Sequence, residues 1–279
     1  MKIADKVLTK MQKARQNKLV DFTQFTEFKK EIQKIEKKLT KNFSERDYDP
    51  SHKVYITLQN HLSLFADECS ALPEFRKFAL TYITLEEEYS PGDIPFSSIS
   101  MSYFEFWALC DFSFGKSETI STIYYDLFSA APAADIMVKG LEQLNASSMS
   151  FYVHEGYQDH TIKLREILTD QTCLCIFPSG YRGEKGDILF TRIVSNLDDV
   201  HDYKISITSP YVDEQSRELD YLNYYRKNQL TTATPNLKNK MRAHFKNHPD
   251  LRYWLNYLSD YALSCYEDRI TLERPPKKV

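Results

Sequence analysis

Apolar residues recur at helical spacing along most of the chain and switch to alternation in one central stretch. Ile3, Val7, Leu8 and Met11 share a face of Lys2–Lys18, and Phe25, Phe28, Ile32, Ile35 and Leu39 follow a 3-4-3-4 spacing. Two amphipathic helices are predicted there. The second stripe barely lasts two heptads, which favours packing on the protein's own core but leaves a homodimer through these helices open. Pro50 and Ser51 open a third helix carrying Val54, Leu58, Leu62, Phe65 and Cys69, and Pro73 divides it from a fourth over Glu74–Tyr89. Ser90-Pro91-Gly92-Asp93 with Pro95 predicts a linker over 90–100. An aromatic segment, Tyr103–Phe112, follows, with further helices over Glu118–Ser129 and Pro132–Leu144.

From Met149 the period falls to two, the spacing of strands. Met149–His154, His160–Leu168, Thr172–Phe177, Asp187–Val194 and Tyr203–Thr208 alternate, with turns at Gly156–Asp159 and Asp170-Gln171. Five short strands predict a small antiparallel β barrel or curled meander, SH3-like, at about 149–208. Pro210 closes the run, helices return over Asp213–Lys227, Leu237–Lys246 and Pro249–Cys265, and Ile270 and Leu272 suit an edge strand. The expected class is α+β and mainly helical: a helical region over 1–90, then 100–275 with helices packed around the β module.

Composition narrows the partners. A net charge of -3 by itself argues neither for a nucleic-acid binder nor for an acidic solvating protein, but residues 1–41 carry eleven Lys and Arg15 against five acidic residues. That basic end suits an arm for nucleic acid or a partner helix, though a solvated face of Lys-rich helices is the commoner explanation. The five cysteines have no framework spacing, MKIADKVLTK lacks an apolar signal region, and apolar runs stay far short of a membrane span. A cytoplasmic protein with no membrane association is expected.

Chemistry concentrates in two places. Pro178-Ser179-Gly180-Tyr181-Arg182-Gly183-Glu184-Lys185-Gly186-Asp187 holds three of the seven glycines, so its backbone N–H groups, with Arg182 and Lys185, suit an anion or a peptide. The GxxxxGK[ST] order of a phosphate loop is absent. A plain strand connection needs the same glycines. His154, Glu155 and His160 flank the other turn and have ligand types for a metal, as in a hydrolase or nuclease, but their spacing is not the helical HExxH. Ordinary hairpin histidines fit as well. Cys173 and Cys175 lie two apart on a strand and read as buried small residues.

Ser102-Tyr103-Phe104-Glu105-Phe106-Trp107, Tyr152-Val153-His154-Glu155-Gly156, Leu164-Arg165-Glu166-Ile167-Leu168-Thr169, Pro178–Gly183 with Gly186-Asp187, and Thr208-Ser209-Pro210-Tyr211 follow one another in an order that resembles an uncharacterised bacterial protein family. Where that family has Gly-Glu-Leu-Trp, this chain has Gly186-Asp187-Ile188-Leu189. The resemblance covers roughly 100–265. It implies that barrel and helices form one unit, and it implies no activity and no cofactor.

The sequence therefore favours a binding or regulatory protein whose contact surface is the 154–160 turn with the 178–187 loop, meeting a protein or an anionic ligand. Tyr152, His154, Glu155, Arg165, Tyr181, Arg182, Lys185, Arg192 and Tyr211 are the candidate residues. A metal-dependent enzyme using His154, Glu155 and His160 is the alternative.

Overall fold

The structure is a computed structural model that describes residues 2–9, 48–70, 72–89, 98–113, 118–129, 135–195, 197, 200–213, 217–227, 229–235 and 240. Expectations for most of the basic segment, its dimer, and the helices and edge strand after 236 lie outside these residues. The chain is α+β, with helices and a small closed barrel. Its described helices are α1 (residues 3–9), α2 (Pro50–Ser70), α3 (Arg76–Tyr89, behind a 3-10 turn Pro73–Phe75), α4 (Ser98–Cys110), α5 (Ile120–Ser129), α6 (Asp135–Ala146) and α7 (Glu218–Lys227).

Local chemistry explains the helix ends. Asp49 caps α2: its Oδ1 accepts from the Ser51 and His52 N–H groups at 2.9 and 3.4 Å, and Pro50 takes the first helical position. The 3-4 spacing then buries Leu58, Leu62, Phe65 and Cys69. α4 buries Phe104 and every residue from Phe106 to Cys110, as its dense apolar sequence demands. Gly140 lets α6 approach α2, since a Cβ there would lie 2.6 Å from Leu58. α1 is held from outside its own sequence: the buried Glu118 carboxylate accepts from the Ile3 and Ala4 N–H groups at 2.8 and 3.3 Å.

The strands are β1 (Met149–Gln158), β2 (Thr161–Glu166), β3 (Thr172–Ile176), β4 (Ile188–Val194), β5 (Lys204–Ser206) and β6 (Tyr211–Asp213). Their order is β1-β2-β3-β5-β4, and β1 pairs with both β2 and β4, closing a five-stranded barrel. β3 and β5 are parallel because the chain crosses to β4 before returning. β6 adds a strand against Ile188–Phe190, beyond the point where Pro210 was expected to end the run.

The barrel is covered on both sides. Ile162, Leu164, Cys175, Tyr181, Leu189 and Ile193 fill the interior. The outward Phe151, Ile188, Phe190, Val194 and Ile205 join the core of the helical layer, where Phe151 meets Phe190, Tyr221 and Tyr225 with ring centroids 4.6, 4.7 and 5.8 Å apart. β4, buried along its whole length, belongs to both. Among the described residues no helix is long and apolar enough to cross a membrane.

Candidate functional site

A β-bulge organises the first loop. His154 stands opposite Leu164, but Gly156 stands opposite Lys163, so Glu155 is one residue too many on β1. Gly156 has φ +130°, a backbone state that side chains other than glycine's rarely adopt. Partners directly opposite share a face of the sheet. His154 therefore shares Leu164's interior face, and Tyr157, opposite Ile162, returns to that same face. Their rings meet edge-on, centroids 5.0 Å apart.

The second loop closes over this pair. Its ladder bonds are to His154 itself: His154 N–H donates to the Asp187 carbonyl at 2.9 Å and Gly186 N–H to the His154 carbonyl at 2.8 Å. Tyr157 Oη donates to the Gly183 carbonyl at 2.8 Å. The 154–160 turn and the 178–187 loop are thus one surface.

Beneath it runs a polar chain. Asp187 Oδ2 accepts from Tyr181 Oη at 2.9 Å and from Glu184 N–H at 2.8 Å. Tyr181 Oη lies 3.2 Å from His154 Nδ1. Because the phenol spends its proton on Asp187, its oxygen accepts from Nδ1–H, which assigns the neutral His154 tautomer and leaves Nε2 a bare acceptor. His154 is fully buried, and Nε2 has no hydrogen-bond partner among the described residues. Burial lowers the His154 pKa below the usual histidine value, against the opposing pull of Asp187 and the Gly156 backbone. Burial, then the Asp187 charge, pushes the Tyr181 phenol far up.

The remaining candidates fall into separate settings. Arg182 and Lys185 are exposed on the second loop, and Tyr157 is 58% exposed beside them. Glu155 and Arg165 sit on the outer face of the barrel, tied into a network: Glu155 bonds Lys163 and Arg165 at 3.0 Å each, and Arg165 reaches Asp170 at 3.0 Å and Glu218 of α7 at 2.8 Å. Arg165 accordingly stays charged, and Glu155 and Glu218 are held below the usual carboxylate range by Lys163 and Arg165 respectively. Arg192 is completely buried on the outward face of β4, ion-paired with Asp111 and 3.4 Å from Ser147 Oγ, away from both loops. Tyr152 packs against the barrel interior, and Tyr211 enters through β6 opposite Phe190.

His154, Glu155 and His160 are not brought together. The strand sends His154 inward and Glu155 outward, while His160 lies edge-on to Tyr203 with centroids 5.3 Å apart. Among the described residues no group of three or more His, Cys, Asp or Glu is placed to hold a metal ion. Tyr157 is a residue of this loop surface that the sequence reading passed over. Its signal was an aromatic inside a presumed turn, and only the bulge puts it beside His154.

Comparison with family models, curated proteins and solved structures finds no match for the chain.

Proposed function

We propose that this protein is a binding module that captures an oxyanion-bearing ligand on the joined 154–160 and 178–187 loops. The observation that carries this reading is the Tyr157 to Gly183 bond, which holds the two loops as one surface while Arg182 and Lys185 face solvent. Arg182 and Lys185 make no ion pair or hydrogen bond among the described residues, in contrast to Arg165 and Arg192. Cations without partners among the described residues, on a loop rich in glycine, suit a phosphate or carboxylate group. One acidic side chain, Glu184, stands between them, so affinity rests on geometry more than on net charge.

The barrel supports the reading by analogy alone. Small barrels, SH3-like or of the Greek-key OB type that the order 1-2-3-5-4-1 with parallel β3 and β5 resembles, bind through their loops. Here the outer face of β2 is engaged by the Arg165 network, whereas the second loop presents Arg182 and Lys185 to solvent. Cys173 and Cys175 are thiols, in keeping with the reducing cytoplasm we favour.

The test is an NMR titration of the full chain with inorganic pyrophosphate and, separately, inorganic sulfate. Expected are shifts confined to the amides of 156–158 and 181–187, weakened by salt and abolished by Arg182→Ala with Lys185→Ala. Shifts centred elsewhere, or none with either anion, would overturn the proposal.

A further inference from the structure

The loop surface has a titratable group built underneath it. We propose that His154 is a pH-operated latch: protonation of its ring at the enclosed Nε2 strands a cation beneath the two loops and frees Tyr157 and the 181–187 loop from each other. The inference concerns regulation of the surface described above and rests on that reading for its biological use, but the latch itself is measurable without any ligand.

The groups that face His154 leave a cation poorly served. From the second loop come Tyr181, whose oxygen already accepts from Nδ1, and Asp187, whose Oδ2 is engaged by Tyr181 Oη and Glu184 N–H. From its own strand comes the Tyr157 ring, edge-on. From β2 comes Leu164, and β4 lines the same interior face with Leu189, neither of them charged. Glu155, Lys163 and Arg165 lie on the other face and satisfy one another. A second ring proton would sit on the enclosed Nε2, where burial opposes the ion and only the Gly156 backbone and one carboxylate at second hand favour it.

Relief lies on the surface side. Tyr157 is more exposed than buried and stands on a bulge, and the second loop has glycines at φ +78° and +104°. Swinging Tyr157 off Gly183 would admit water to the imidazolium. The closed arrangement binds fewer protons at His154 than the open one. It is therefore fully favoured above the ordinary histidine value, and loses ground as pH falls through that value toward the depressed one.

The experiment is a pH titration of the full chain followed by ring 15N and backbone amide NMR. Above neutrality His154 should be neutral with its proton on Nδ1. As pH falls, its ring and the amides of 156–158 and 181–187 should change with one midpoint, below the usual value. His154→Gln should keep a cooperative fold and abolish the pH response of those amides. Should it fail to fold, Tyr181→Phe serves: the ring still titrates, but the 181–187 amides no longer follow it. Sulfate, whose charge is constant in this range, should bind about fivefold more weakly to the wild-type chain once His154 is protonated. A His154 that titrates with no change in the loop amides, or loop amides that respond unchanged in either variant, would overturn the latch. Failure of sulfate to bind, with the coupled midpoint intact, would instead remove the binding reading and leave the latch standing.

Discussion

Gly183 has no room for a side chain: an added Cβ would lie 2.0 Å from Tyr181 Oη and 2.2 Å from Asp187 Oδ2. Tyr181 is buried and cannot step aside. Gly183→Ala should therefore cost about 1–3 kcal/mol in chemical denaturation, and should raise amide exchange at Gly186 and His154. Alanine tolerated without change would show that the polar chain is loose. Arg192 makes the opposite case, a charge enclosed by design. Asp111→Ala should cost about 3–5 kcal/mol by stranding the guanidinium, whereas Arg192→Met with Asp111→Leu should cost far less, measured by the same denaturation series. The sequence puts Arg192 on a strand and Arg182 in a loop, but does not show that this strand is covered on both faces. Which arginine is buried depends on β4 lying between barrel and helices, and that is tertiary information. Gly183 was legible as a loop residue, but the side chains that forbid its replacement were not.

Strand alternation and 3-4 spacing made most elements readable, because each buries one face against a neighbour. Where a device breaks the period, the reading fails. The bulge at Glu155 carries β1 on to Gln158, past the turn expected at Gly156–Asp159, and the tight turn falls at Asp159-His160 with Asp159 at φ +52°. β6 is three residues long, too short to show any period. α7 illustrates how an element is held once formed: Tyr221 and Tyr225 are wholly buried, and Glu218 in its first turn takes a two-pronged bond from Arg165 at 3.0 and 2.8 Å. Glu218 is 40% exposed, so the pair is worth under about 1 kcal/mol. Its sign is nevertheless definite. With Glu155 and Glu218 both depressed by their cationic partners, the network's stabilisation of α7 is full above the ordinary carboxylate value and is lost as pH falls below it through their depressed values. Glu218→Gln should lower the Tm slightly at neutral pH, flatten the acid limb of the Tm profile and reduce its salt dependence. An unchanged acid limb would show that the network is not what holds the helix.

The apolar cluster of the helical layer runs without a break from Ile3 and Phe65 through Phe104, Leu141 and Phe151 to Ile205 and Tyr225. Its barrel members come mainly from outward positions on β1, β4 and β5, so the barrel has no solvent face of its own along β4. Further ties cross the same boundary: Tyr203 Oη donates to the Asp49 carboxylate that caps α2, and Tyr55 Oη donates to the Ile207 carbonyl at 3.0 Å. Fluorescence from aromatic residues and far-UV circular dichroism should consequently report one coincident unfolding transition for helices and barrel. A separate low-stability step is expected only for α1, whose first N–H groups depend on Glu118, with Lys2 on Asp126 at 3.1 Å as a minor, exposed contact. Glu118→Ala should raise amide exchange through residues 3–9 while leaving His154 and the loop amides unshifted. Conversely, a fragment spanning 149–213 would expose Phe151, Ile188, Phe190, Val194 and Ile205 and lose the Asp111 partner of Arg192. It should show strand content without dispersed NMR signals, the mark of a barrel that collapses but does not pack. A well-dispersed spectrum from that fragment would mean that the interior cluster around Leu164 and Leu189 is enough to specify the fold, and the helices would then be free to move relative to the loop surface.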